Sequence, residues 1–467
     1  MTTLRWPVRR RVLTVAALAL AAAADLGGAP PASPPRRIAI FGSSVASGTG
    51  DESGREGYAG LLRALLLPRG WEIVNQSRPG DDTAALMSRF ASDESGQPGT
   101  RYLMSAHPGY VVVALSLGNE GIRGAEGAAA KDVVAERFVR GVRTLVDRSR
   151  AEGMVPIVTL CYTRNDFTDI EYVHTRRVNG LLNGWDVPSV NLLGAVDDGT
   201  GKWARGFWWD SLHPNAAGHA EMATTFVPSL FDALERGIAR PVRQDAGGYA
   251  QLSGGAALSF SPDAPMHPFT LGFTMRSTGD GVVARIGGRR LEAATSTKTI
   301  TRSGSAPQTI ESTTLTAGPT ATAAVSIHNG VWTYVSTDGV TSASSVPADS
   351  RWHQVLVSHY AARGESLFFV DGVLAGKTAE RLAPEAFVVG SSAAGRRMDV
   401  KDVLIYRAAL NADEAAALHD GALLQASLEV YAPLSDRQVL KGRAVQNRAQ
   451  SLSALTLEAG RLTHVSR

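Results

Sequence analysis

A chain of 467 residues is too long for one average domain and implies two or three. Its 44% hydrophobic and 19% charged content describes core-forming material and excludes an extended disordered protein. The formal net charge of +3 is local: Arg5, Arg9, Arg10 and Arg11 supply the excess, and without them 43 basic residues face 44 acidic ones, so charge gives no argument for nucleic-acid binding.

Residues 1–24 combine a basic start, an apolar run over 12–24 and small residues before Asp25, the pattern of a secretory signal peptide. The apolar run falls short of the ~20 residues needed to span a bilayer, and no later segment offers a stable membrane span. Residues 25–36 are rich in proline and read as a spacer. From residue 37 to about 240, strand candidates at 37–41, 71–75, 110–116, 155–161 and 188–193 alternate with amphipathic stretches at 57–67, 81–91, 128–150, 171–183 and 216–237. Repeated strand–helix units predict an α/β domain with a parallel sheet covered on both faces. The single cysteine, Cys161, falls among apolar neighbours and reads as a buried, inert thiol.

After 238–248 the helical periodicity stops. Alternating runs at 256–260, 269–275, 281–286, 323–328, 331–336, 352–359 and 366–370 predict an all-β sandwich over 248–467. The Thr/Ser-rich stretch 293–319 reads as a long hairpin or loop, and a short helix at 411–419 follows a strand at 400–406.

Two motifs carry chemistry. Ser44 stands just past the first strand, where backbone N–H groups can stabilise a developing negative charge. Far downstream, Asp210 and His213 are spaced so that, in a helical turn, the carboxylate would reach one imidazole nitrogen. A serine needs such a base to become a nucleophile. The four aromatics Trp203, Phe207, Trp208 and Trp209 suit either a substrate platform or core packing, and His219 either surface or packing.

The first domain resembles the GDSL, or SGNH, hydrolases. Gly42-Ser43-Ser44-Val45 stands for the first block, with serine where the family has aspartate, and Asp210-Ser211-Leu212-His213 matches the last. The second block resembles Asn75 to Gly80, and the third resembles Leu117-Gly118-Asn119-Glu120, with its glycine displaced and glutamate replacing aspartate. The resemblance implies a flavodoxin-like three-layer fold over 37–240, a triad of Ser44, Asp210 and His213, and an oxyanion hole of Ser44, Gly80 and Asn119. No Gly-x-Ser-x-Gly elbow occurs, which argues against the α/β-hydrolase fold.

The second domain, 248–467, resembles laminin-G-like, concanavalin-type jelly rolls through Trp352-His353-Gln354-Val355, Leu367 to Gly372, and Asp402 to Glu414. That resemblance implies a glycan ligand; no acidic cluster for calcium is evident.

Together these readings predict an exported serine esterase, secreted or periplasmic, acting on acylated small molecules or polysaccharides. No cofactor, metal or nucleic acid is implied. The alternatives are a glycan-binding protein with a decayed hydrolase domain, and a lipase or lysophospholipase.

Overall fold

The computed structural model describes residues 35–91, 101–244, 247–300, 308–391, 393, 395–435 and 443–466. The expected signal peptide and nearly all of the spacer lie outside the described residues.

Five parallel strands, β1 (Arg37–Gly42), β2 (Glu72–Asn75), β3 (Tyr110–Ala114), β4 (Val155–Thr159) and β5 (Ser189–Val190), form a sheet in the order β2-β1-β3-β4-β5. Their register sets Ile40 beside Asn75 on one side and Val112 on the other, and Val112 beside Ile157. Alternation within the apolar runs feeds two cores. Ile38, Ile40, Tyr110 and Val112 face one layer, and Ala39, Phe41, Val111 and Val113 face the other. A strand buried on both faces needs apolar residues at every position, which is why these runs show no polar alternation.

The first layer holds α1 (Gly57–Leu66), α6 (Ala216–Thr224) and α7 (Leu230–Glu235); the second holds α2 (Thr83–Ser88), α3 (Gly127–Ala151) and α4 (Asp169–Asn183). A short α5 (Leu193–Val196) follows β5. The stretch 216–237, expected as one helix, is two, because Pro228 lies between them and cannot continue the backbone ladder.

The second half is a sandwich of two eight-stranded antiparallel sheets. Its strands begin with β6 (Tyr249–Ser253), β7 (Ala257–Phe260), β8 (Phe269–Arg276), β9 (Gly281–Ile300) and β10 (Gln308–His328). They continue with β11 (Val331–Val335), β12 (Thr341–Pro347), β13 (His353–Tyr360), β14 (Glu365–Val370), β15 (Val373–Ala379), β16 (Leu382–Gly390) and β17 (Met398–Tyr406). Helix α8 (Ala412–His419) precedes β18 (Leu428–Ala432), β19 (Ala444–Val445), β20 (Leu455–Leu457) and β21 (Arg461–Val465). One sheet runs β12-β11-β10-β9-β16-β7-β20-β19 and the other β15-β14-β13-β8-β17-β6-β21, with β18 beside β17.

The inner faces share a core that includes Phe273, Trp332, Tyr334, Val355 and Phe368. The outer face of β13, β14 and β17 is covered by α8, packing Leu356, Phe369 and Tyr406 against Leu418. Every residue of β13 is therefore buried.

A polar seam joins the halves. Ser427 N–H donates to Ser189 O at 3.0 Å, so the edge strand β5 is covered rather than left free for another chain. Asn183 Oδ1 accepts from the Gln425 and Ala426 amides at 2.8 and 3.0 Å, and Leu452 N–H donates to Ser229 Oγ at 2.9 Å. Among the described residues no helix is long and apolar enough to cross a membrane.

Candidate active site

In a sheet of this order the crevice opens at the carboxyl ends of β1 and β3, where the chain leaves to opposite sides. The segments following the strands converge there. Ser44 follows β1, Gly80 follows β2, Asn119 follows β3, Tyr162 and Arg164 follow β4, and Asp210 and His213 come after β5.

The Ser44 Oγ hydroxyl donates to His213 Nε2 at 2.9 Å. On the other side of the ring, Nδ1–H donates to Asp210 Oδ1 at 2.8 Å and lies 3.0 Å from Oδ2. Asp210 Oδ1 also accepts from the Leu212 and His213 amides at 2.8 and 2.9 Å. The expected helical turn from 210 to 213 is absent: the segment is a bend closed by the carboxylate itself, which competes successfully with backbone acceptors as short polar side chains do. Burial pushes the Asp210 carboxyl up, but His213 and the two amides outweigh it and hold the group below the usual carboxylate range. Immediately afterwards Asn215 caps α6 by accepting from Gly218 N–H at 3.0 Å, which fixes where the bend ends.

The five residues singled out from the sequence meet here. Ser44, Gly80, Asn119 and His213 line one cavity of about 350 Å³ with Ser43, Thr49, Pro79, Gly118, Tyr162, Arg164 and Leu212, and Asp210 stands behind His213. Gly80 has φ +89°, a left-handed conformation that a side chain would strain, and its amide turns with that backbone. Asn75 ties the Gly80 loop to the serine loop, donating from Nδ2 to Ala46 O at 3.0 Å and accepting from Ser77 N–H at 3.1 Å. Asn119 Oδ1 accepts from Ser116 N–H at 2.9 Å and from the Tyr162 hydroxyl at 3.4 Å, so the Nδ2 donors are what the side chain has left for the cavity.

The departures from the family blocks have distinct consequences. Ser43 is buried and its hydroxyl finds no hydrogen-bond partner among the described residues. Glu120 is buried too, but fully used. It accepts from Thr83 N–H and Oγ1 at 3.1 Å each, at the start of α2, and pairs with Arg137 at 2.8 Å.

Tyr162 and Arg164 carry no motif; their position after β4 is the signal that would have found them. The Tyr162 ring stacks on Trp203 at 5.8 Å, and burial raises its hydroxyl's pKa. Arg164 binds Asp166 through Nε and Nη2 and donates from Nη1 to Gly118 O at 3.2 Å. Trp203, Phe207 and Trp209 are buried and Trp208 is half-buried against the core, so core packing accounts for the group. His219 is also fully buried: Nδ1 accepts from Tyr58 N–H at 3.4 Å and Nε2–H donates to Thr49 O at 3.1 Å. Burial pushes its pKa down to about 4, which keeps it neutral. The Cys161 thiol is buried and pushed up to about 12 by that burial. A hollow of about 470 Å³ lies between α3 and α4, and none of the five residues lines it. Among the described residues no group of three or more His, Cys, Asp or Glu side chains is arranged to hold a metal ion.

Residues 40–221 match the model of the GDSL-like Lipase/Acylhydrolase family. No curated protein matches the chain. A GDSL-like lipase from Bacteroides thetaiotaomicron VPI-5482 is similar in structure, with 14% identity over 44% of this chain and 91% of that one and a TM-score of 0.32. An acetylxylan esterase from Geobacillus stearothermophilus shows 17% identity over 40% of this chain and 90% of its own, with a TM-score of 0.30. A protein from Bacteroides ovatus ATCC 8483, provisionally assigned as carbohydrate-binding, shows 12% identity and a TM-score of 0.34; the match covers 49% of this chain but only 61% of that one.

Proposed function

Residues 40–221 being a GDSL-like lipase/acylhydrolase domain, and so an ester hydrolase, we propose that Ser44, His213 and Asp210 are its triad and that the protein hydrolyses short-chain carboxylic esters of carbohydrates. The observation that carries this reading is the unbroken chain of hydrogen bonds from Ser44 through His213 to Asp210, opening on a cavity shared with Gly80 and Asn119.

In this mechanism Ser44 Oγ attacks the ester carbonyl while His213 Nε2 takes its proton. Asp210 stays ionised, holds Nδ1 protonated and stabilises the imidazolium. The amides of Ser44 and Gly80 and the Asn119 Nδ2 group donate to the oxyanion, where donors fixed in advance act most strongly. His213 then protonates the leaving alcohol, and water repeats the sequence to release the acid.

The cavity walls favour a short acyl group. Among the described residues the cavity lining includes Thr49, Gly80, Gly118 and Asn119, with Leu212 its one aliphatic side chain apart from Pro79, and Arg164 with Asp166 makes one side polar. This disfavours the lipase and lysophospholipase alternatives. A glycan role for the sandwich half, 248–467, draws on Tyr249 and Trp352, half-buried rings packed edge to face at 5.3 Å beside Arg276 and Lys401. The same proposal takes 37–240 as the hydrolase domain and 1–24 as a leader for export to the periplasm or beyond.

Turnover of p-nitrophenyl acetate, butyrate and octanoate, with acetylated xylan beside them, tests the reading. Acetate is expected to be the best of the three, with no turnover above background in Ser44→Ala. A folded wild type with no turnover above background would leave the protein as a glycan binder, an active Ser44→Ala would move the nucleophile elsewhere, and a preference for octanoate would return the lipase reading.

A further inference from the structure

Strands β9 and β10 span 20 and 21 residues, well beyond the sandwich core, and pair from Gly281↔Ile327 out to Ile300↔Gln308. β11 pairs with β10 only over residues 324–328, so among the described residues the far half of β10 has an outer edge without a strand partner. A bare edge of this length is a template for unwanted pairing unless something covers it. Here the cover is the segment that carries Asp210 and His213.

The contacts are specific. Thr313 N–H donates to Gly206 O at 2.8 Å, and Asn215 Nδ2 donates to Gly206 O at 2.9 Å and Glu311 O at 3.3 Å. Arg205 meets the Glu311 carboxylate through Nε and Nη2 at 2.8 and 2.9 Å. Ser312 and Thr313 are buried, whereas residues 292–299 on the facing strand are exposed. Gly206 has φ +85°, and a Cβ there would sit 1.9 Å from Thr313 Oγ1, so only glycine permits the approach. Glu52, from the serine loop, joins the same contact: its Oε2 accepts Ala216 N–H at 2.7 Å and its Oε1 lies 3.5 Å from Ser312 Oγ.

What the hairpin grips is the base of a closed loop. Trp208 and Pro214 form a β-bridge, Trp209 N–H donates to His213 O at 2.9 Å, and Asn215 N–H donates to Phe207 O at 3.3 Å. Gly206–Phe207 and Pro214–Asn215 are therefore two stems held side by side, with Asp210 and His213 in the loop they close. Fixing the stems fixes the distance from His213 Nε2 to Ser44 Oγ, which belongs to a different loop.

We infer that the β9–β10 hairpin is a splint for the acid–base loop, and that Glu311 and Thr313 of the second half are positioning residues for a site located in the first. The appended sandwich then completes the catalytic unit in addition to any ligand it binds. This rests on the Ser44–His213–Asp210 reading.

Thr313→Pro in the full chain removes the donor to Gly206 without breaking the β9 ladder, because that N–H faces outward, and proline is tolerated on such an edge. Displacement of a catalytic group by about 1 Å costs up to about 100-fold, so kcat for p-nitrophenyl acetate is expected to fall about 10- to 100-fold with KM little changed. Hydrogen exchange of the 207–216 amides should rise at the same time. Glu311→Arg, at a half-exposed position, should lower kcat about 3-fold, and Arg205→Glu/Glu311→Arg should restore it, the small size being that of a solvent-screened ion pair. Wild-type kcat and wild-type exchange in Thr313→Pro would overturn the splint, as would failure of the double reversal to rescue. With Ser44→Ala measured alongside, the two readings separate. A dead Ser44→Ala with unimpaired Thr313→Pro removes the splint alone, whereas an active Ser44→Ala removes the triad and the splint with it.

Discussion

Asn119 can be read as an oxyanion donor or as a cap on the end of β3, and replacing it with aspartate separates the two. The side chain has two ends with different work. Oδ1 accepts from Ser116 N–H at 2.9 Å and Tyr162 OH at 3.4 Å, which holds the turn after β3; Nδ2 is the end left for the cavity that Asn119 lines. Asn119→Asp keeps an oxygen for both donors, so the fold should survive with Tm close to wild type. It also replaces the donor with a negative charge where the tetrahedral intermediate develops its own. Loss of one oxyanion donor costs about 10²–10³ in kcat, roughly 3–4 kcal/mol, and the added repulsion should push Asn119→Asp to at least the upper end. Asn119→Ala should match the donor loss in kcat and in addition lose the Ser116 bond, about 1 kcal/mol of stability. The assay is kcat and KM on p-nitrophenyl acetate with thermal unfolding of the same preparations. Donation made only in the transition state lowers kcat and leaves KM nearly unchanged. A folded Asn119→Asp with kcat within a few-fold of wild type would refute the donor role and leave a cap.

Asp210→Asn should leave the bend intact through its Oδ1 but turn an amide donor towards His213 Nδ1, trapping the wrong tautomer; kcat should fall about 10⁴-fold, and a drop below ten-fold would contradict the assignment. In the sandwich, Arg407 and Glu429 are both fully buried and pair at 2.6 Å, so Arg407→Met should cost about 3–5 kcal/mol in urea unfolding by stranding the Glu429 charge; an unchanged midpoint would show that water reaches it. His359 is buried with a pKa pushed down to about 4 by that burial, against 6.5 in its ordinary state. Between those values the unfolded chain binds the proton and the folded chain does not, so stability falls as pH drops from about 6.5 to 4. His359→Gln should flatten that fall by about 3 kcal/mol, and an identical pH slope in the variant would refute it.

The parallel sheet was legible because strands covered on both faces must be apolar throughout: β3 and β4 lie within the predicted runs and end two residues early, and β1 runs one residue past its expected limit. The acid–base pair was legible because Asp-x-x-His puts both groups on one short bend, although the bend is closed by Asp210 rather than by helical bonds. The long hairpin over 293–319 was legible only as hairpin or loop, and what it covers was not legible. Residues 292–299 are exposed on every side, so no hydrophobic alternation marks them as strand, and burial is confined to contact positions such as Ser312 and Thr313. The aromatic group from Trp203 to Trp209 looked equally suited to platform or core, and a tertiary fact decided it: Trp203 packs on Tyr162 beneath the site. β12 and β15 escaped notice because few of their positions are buried, Ser342 and Ser344 in the one and Thr378 in the other, so no apolar alternation marks them.

Covalent labelling with a fluorophosphonate, followed by peptide mass spectrometry, tests the central claim most directly, because it needs no knowledge of the natural ester. A serine activated by His213 at 2.9 Å should take one adduct, on the peptide containing Ser44, and Ser44→Ala should take none. An adduct that persists in Ser44→Ala, or a folded wild-type protein that takes no adduct at all, would contradict the account.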